Sequence, residues 1–428
     1  MLEHNKNCHH DIISNLPESL RETILTYLPL QDAVRTSVLS TKWRNTWTKI
    51  SHLYFDETLW PGSSGGDKLE LKSKCVRRIL HTLLRHDGPI NTLFLSISKL
   101  GIFPEVDNIM LILSKSDVEH LVLEFCSGKY ILPSTFFKCQ RLKHLSLCSC
   151  LFQPSSNFIG FSQLLTVEMI DVAMSSEQLE SLINGCPLLE ALTLKISPVC
   201  LTLDIQAPKL KYFEFISKLE SVCFKNTPHL VEVVIVYDYD TRIIEWKETS
   251  LREESNLNEL FKSLPALSNL RLGYTLPKFV SLIGLPERHS PTAVCLNTLV
   301  LEWICLERMG EMASVLFIVR MSPNLQDIII HLYNIVGTAD QKPSPKSLDV
   351  EENSDVKLNQ LRSVQFSGFT GTRNQMVLAK LLLTKSPRLN KMVIKPNTKQ
   401  CNAKRGFSIL KELIRLPRPS AAAEIIFG

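Results

Sequence analysis

The sequence contains 12 cysteines but no pair at the Cys-x-x-Cys spacing that structural zinc sites favour. The tightest spacing, Cys148-Ser149-Cys150, falls inside a repeated apolar pattern, so these side chains read as small buried hydrophobes in a reducing compartment. Cys8, His9, His10 and Asp11 could bind a metal ion, but an adjacent polar run near a terminus is expected to be disordered. No metal site and no cofactor is expected. No apolar run approaches the roughly 18 residues of a membrane helix, and the opening MLEHNKNCHHD has no apolar signal core. The expected location is therefore the nucleus, the cytoplasm or both. Only 16 of 428 residues are glycine, and none forms a phosphate-cradling loop. The Gly-x-Ser-x-Gly spacing of Gly62 to Gly66 falls in a loop by composition and makes no nucleophile elbow, and a His-Glu-x-x-His helix is missing too, so catalysis has no visible machinery. The formal charge of +5 is mild for this length and does not argue for nucleic acid.

What is present begins with Asn15 to Ile50, which carries three short helical patterns. Pro17 suits the first position of a helix, Leu20, Ile24 and Leu28 recur at helical spacing with Leu25 and Tyr27 alongside, and Pro29 forbids continuation. Ala33, Val34, Val38 and Leu39 predict a second helix. Ser40 or Thr41 can cap a third that carries Trp43, Trp47 and Ile50. A unit of about 40 residues is insecure without disulfides, metal or a partner. No cysteine lies between Asp11 and Ile50, so a partner remains.

The residues Leu16-Pro17, Ile24-Leu25, Leu28-Pro29, Asp32 to Ser40, Trp43-Arg44 and Trp47 resemble the F-box of plant F-box proteins. The resemblance implies docking on a Skp-type adaptor, and through it on a cullin scaffold. Leu16, Pro17, Ile24, Leu28, Pro29, Val34, Leu39 and Trp43 are the implied adaptor-binding residues. Read from the residues alone, Ile24, Val34 and Trp43 could instead hold the three helices together, and both readings stay open.

Beyond Pro61 to Gly66, a loop by composition, Val76, Ile79, Leu80, Leu83 and Leu84 form a helical stripe that stops at Asp87-Gly88-Pro89. A pattern of apolar-x-x-apolar-x-apolar then recurs from Ile90/Leu93/Leu95 to Leu389/Met392/Ile394, and includes Leu219/Val222/Phe224. Most spacings are about 20 to 30 residues, the range of leucine-rich repeats, and each unit can bury its face only against the next. Helical returns are visible at Gln178 to Ile183 and at Met376 to Leu383. The pattern breaks at about Tyr237 to Leu257, Gly273 to Val294 and Gly337 to Lys357, which are candidate binding or regulatory loops.

The last segment, LNQLRSVQFSGFTGTRNQMVLAKLLLTKSPRLNKMVI with GFSILKELIRLPRPSAAAEIIF, resembles the FBD domain of plant F-box/leucine-rich-repeat proteins. It supplies two strand-helix units and a terminal strand, Glu424 to Phe427. The expected fold is therefore α/β: an F-box at 11–55, a linker and helix at 56–89, a leucine-rich-repeat solenoid at 90–336, a polar loop at 337–357 and an FBD-type segment at 358–428. Parallel strands would line the concave face, with helices or irregular returns on the convex one.

Outward strand positions should form the capture surface for a target protein: His120, Glu124, His144, Tyr212, Glu214, Arg271, Asp327 and His331. By resemblance the chain is a non-catalytic substrate-recognition subunit of a Skp-cullin-F-box ubiquitin ligase. Two alternatives remain at this stage. One is an interaction scaffold outside ubiquitination. The other is a nucleic-acid-binding protein using the basic run Arg388, Lys391, Lys395, Lys399, Lys404, Arg405, Lys411, Arg415 and Arg418, although Phe407 alone is poor support for base stacking.

Overall fold

The structure, a computed structural model, describes residues 12–56, 68–97, 104–125, 130–196, 201–217, 219–236, 263–273, 294–333 and 356–428. The loop at Pro61 to Gly66, the Cys8 to Asp11 run and the breaks at 237–257, 274–293 and 337–355 lie outside the described residues. The chain divides into two compact units, Met1–Pro187 and Leu188–Gly428.

In the first unit, helices Glu18–Thr26 and Leu30–Arg35 each start behind a proline. Pro17 sits one position earlier than expected, just before the first helical residue, and both it and Pro29 are extended cap residues, with ψ of 149° and 144°. Their carbonyls accept the first amides, from Leu20 and Arg21 at 3.1 Å and from Asp32 and Ala33 at 2.9 Å. The third α-helix does not form. Trp43, Thr46, Thr48 and Ile50 each donate their amide three residues back, and only a 3-10 turn, Thr46–Lys49, results. The competing acceptor is spoken for: the Lys42 carbonyl takes the Arg21 guanidinium and the Thr46 hydroxyl.

The repeat starts earlier than position 90. Ile50, Leu53 and Phe55 match the apolar spacing, and His52–Phe55 pairs in parallel with Thr92–Ser96. All three are buried. They close the helical module and open the sheet together, so they read as module alone. The junction is tight: Asp87 and Gly88 amides both reach the Thr48 carbonyl, at 3.0 and 3.1 Å. A Cβ at Gly88 would stand 2.8 Å from the Lys49 Cα, so glycine is required there.

The strands of this unit, His52–Phe55, Thr92–Ser96, His120–Glu124, His144–Cys148 and Thr166–Ile170, pair in parallel in chain order. The second unit repeats the scheme with Ala191–Lys195, Tyr212–Ile216, Glu232–Val236, Asn269–Leu272, Thr298–Ile304, Asp327–Leu332, Ser363–Phe369, Lys391–Pro396 and Glu424–Phe427. Register keeps apolar beside apolar, as in Leu121, Leu145 and Val167, or Leu270, Leu299, Ile328, Val364 and Met392. These residues are all buried, as stacked repeats require.

Helical returns form where expected, at Ser176–Asn184 and Arg373–Thr384, the former closed by a Ser175/Gln178 capping box. The segment around Leu219 is a correction. Leu219–Lys225 pairs with Leu201–Gln206 in a separate two-stranded sheet, and is the return of its unit rather than a repeat. It begins only nine residues after Leu210, too few to leave the main sheet and come back. Tyr130–Ile131 and Cys150–Leu151 form a second such strand return.

Candidate functional site

Three surfaces stand out. The helical module buries Leu25, Ala33, Trp43, Trp47 and Ile50 together, with Leu16 packed against them. Outside this cluster Leu30 is buried, but most of the module's apolar side chains face solvent: Leu20, Ile24, Leu28, Val34 and Leu39, and above all Tyr27 at 84% and Val38 at 87% exposure. Leu20 and Ile24 thus lie on the outward face of their helix, with Leu28 just past its end, while Arg21 and Leu25 point inward. Burying such a side chain is worth about 1.5–3 kcal/mol, which the isolated module forgoes several times over. An exposed apolar patch on this scale marks a protein interface.

Among the residues implied as adaptor contacts, Pro17, Ile24, Leu28, Pro29, Val34 and Leu39 are exposed and Leu16 is half-buried. Trp43 is different. At 2% exposure it belongs to the module's own core, because the turns after Ser40 fold it inward against Leu25 and Ala33. Leu20, Tyr27 and Val38 were missed as surface residues, since helical spacing alone does not say which stripe faces in.

The second surface is the open face of the first unit's sheet. One row across it runs His52, Thr92, His120, His144 and Thr166. His52 and Thr92 meet at 2.9 Å, the His120 and His144 rings stack at 4.3 Å, and His144 Nδ1 lies 2.6 Å from Thr166 Oγ1. Burial, His120 and Lys143 together hold the His144 pKa below its ordinary value, against the pull of Glu119. The next row runs Tyr54, Phe94, Val122, Ser146 and Glu168, with the Tyr54 and Phe94 rings 6.2 Å apart and the Ser146 hydroxyl donating to Glu168 at 3.0 Å. Glu124 lies in the third row, beside Ser96 and Cys148. The structure therefore brings His120 and His144 into contact and sets Glu124 two pleats along the same strand. His52, Tyr54 and Phe94 escaped the sequence reading, the first two because their strand was not recognised.

The third surface belongs to the second unit. Glu214 accepts from Thr193 at 3.4 Å, and burial together with Glu214 pushes the Tyr212 hydroxyl up to about 12. Arg271 donates through Nε and Nη2 to one oxygen of Glu302, at 3.0 and 2.6 Å, and His331 Nε2 stands 4.0 Å from its other oxygen. Glu302 is thus the hub of the Arg271 and His331 pair, and it was missed. Beside it the register slips between Leu301 and Ile304, where Trp303 takes a φ of +56° and remains 44% exposed. A bulge there sends two consecutive side chains away from the core, which strict alternation cannot foresee. Asp327 lies in a different row, between Thr298 and Ser363. Among the described residues no group of three histidine, cysteine or acidic side chains could hold a metal ion.

Comparison with known proteins agrees with this layout. Residues 13–53 match the F-box domain family, and residues 106–330 match the family described as FBD-associated F-box protein At5g56370, LRR repeats. The chain is 34% identical over 423 residues to F-box/FBD/LRR-repeat protein At1g13570 of Arabidopsis thaliana, covering 97% of this chain and 98% of that one. It is 26% identical to FBD-associated F-box protein At5g56370 of the same plant, over 98% of this chain and 100% of that one. Similarity to F-box/FBD/LRR-repeat protein At5g56420, also of Arabidopsis thaliana, is 23%, again over 98% of this chain.

Proposed function

The chain belongs to the F-box/FBD/LRR-repeat family of plant proteins, and from that premise we propose that it is the substrate-recognition subunit of a Skp-cullin-F-box ubiquitin ligase, at work in the nucleus, the cytoplasm or both. The observation that carries the reading is the apolar patch of Leu20, Ile24, Tyr27, Leu28, Val38 and Leu39, left in water by a module that has already completed its own core. An adaptor surface covers that patch, and the sheet faces hold the target. The chain supplies no reacting group. Its part in ubiquitin transfer is to raise the local concentration of target beside the conjugating enzyme, which can reach the millimolar range for tethered partners.

Co-purification with a Skp-type adaptor tests this. The intact chain should form a stable complex. Replacing Leu16-Pro17 and Leu28-Pro29 by alanine, or Tyr27 and Val38 by aspartate, should abolish it, and the aspartate pair should leave the melting temperature near that of the parent because both sites are exposed. An intact, folded chain that ignores the adaptor would sink the proposal and favour a scaffold outside ubiquitination.

A further inference from the structure

The open face of the first unit has a one-sided chemistry. None of its outward positions, in the rows through His52, Tyr54 and Ser96, is lysine or arginine, although the chain as a whole carries 48 of them. It presents instead two carboxylates, Glu124 and Glu168, and a run of rings. Among the described residues Glu124 has no ion pair and Glu168 meets only the Ser146 hydroxyl, which leaves most of its lone pairs unused there. Two basic side chains on the turns that lead into these strands are already committed. Lys143 is held by Glu119 at 2.9 Å and Arg141 by Asp117 at 3.1 Å.

We propose that this face captures a basic peptide segment, with arginine or lysine side chains laid over Tyr54 and Phe94 and paired with Glu124 and Glu168. Ring faces attract cations, and with Glu124 one strand over from Phe94 and Glu168 three strands over, a peptide laid across the strands sets one basic side chain on the rings and later ones on the carboxylates. Five strands at about 4.8 Å spacing span about 19 Å, the length of some six extended residues. The proposal rests on the reading of the chain as a substrate receptor, and it names the chemical class of target for one of its two faces. A net charge of +5 opposes any unspecific attraction of cations to the protein, so a measured affinity for them would point to a local acidic site.

Fluorescence anisotropy with the full-length chain provides the test. The probes are labelled twelve-residue peptides that alternate serine with arginine, with lysine or with glutamate. Micromolar binding of the arginine and lysine peptides at about 150 mM salt, and none of the glutamate peptide, is expected. The double variant Glu124→Gln/Glu168→Gln should weaken binding about tenfold and Tyr54→Ala about three- to fivefold, with melting temperatures unchanged. Equal binding of the glutamate peptide, or cationic binding that none of these variants moves, would overturn the proposal. Adaptor association is measured on the same samples. A variant that keeps the adaptor and loses the peptide locates the defect on this face, whereas a parent chain that binds peptide and not adaptor removes the ligase reading and keeps the basic-peptide face.

Discussion

Trp43 and Tyr27 are both large aromatic residues of the helical module, and the structure gives them opposite tasks. Trp43 is closed into the core with Leu25, Ala33, Trp47 and Ile50, whereas Tyr27 stands at the end of its helix in solvent. Truncating Trp43 to alanine removes a buried indole from a core too small to collapse around the cavity, and should cost about 3–5 kcal/mol in a denaturant melt. Truncating Tyr27 should change stability by less than about 0.5 kcal/mol, yet weaken the adaptor complex. Equal stability losses for the two would show that the module packs differently. The sequence marks both as apolar residues in a short helical array and goes no further. Which aromatic faces in depends on how the Pro17 and Pro29 caps aim two helices, and on the Arg21 guanidinium drawing the Lys42 turn inward.

At the scale of elements, the spacing of apolar residues made most main-sheet strands legible, because every inward pair must meet the same pair one unit away. It failed where one residue serves two elements or where alternation breaks. Ile50 closes the helical module and opens the first strand, the Leu219 strand alternates without joining the main sheet, and Trp303 is an extra residue in a bulge. The legible helix Lys68–Arg85 carries a consequence at its end, where His86 is lodged beside the Thr48 turn. A cation there would gain from the helix dipole, but burial outweighs it and lowers the His86 pKa, against the Pro89 carbonyl and Asp87. The folded state thus prefers the neutral ring. Its contribution is complete above the unfolded pKa of about 6.5 and is lost as pH falls below that value towards the depressed folded one. The melting temperature should therefore drop less between pH 7.5 and pH 5.5 in His86→Gln than in the parent chain. Identical drops would assign the acid sensitivity to other groups, His144 among them, whose pKa is also lowered.

Across the whole molecule the main-sheet strands of each unit pair with their chain-order neighbours, so cooperativity within a unit is not guaranteed by topology and has to be measured. Its cysteines allow that. Cys75, Cys139, Cys150 and Cys186 are buried in the first unit and Cys305 in the second, while Cys223 and Cys295 are exposed. Burial pushes the thiols of Cys139 and Cys186 up to about 11 and that of Cys150 up to about 12, so they are doubly protected, by access and by the scarcity of thiolate. Iodoacetamide labelling read by peptide mass spectrometry should modify Cys223 and Cys295 in the native protein and spare the buried five. Along a urea gradient, the four of the first unit should become reactive at one common midpoint if that unit opens as a whole, and at several if it frays repeat by repeat. Trp43→Ala discriminates further. The helix bearing Cys75 ends on the Thr48 carbonyl, so loosening the module should expose Cys75 at lower urea and leave the midpoint of Cys305 in place. A shift of both together would mean that the units share one transition; a shift of neither would mean that the module unfolds without disturbing the sheet it opens.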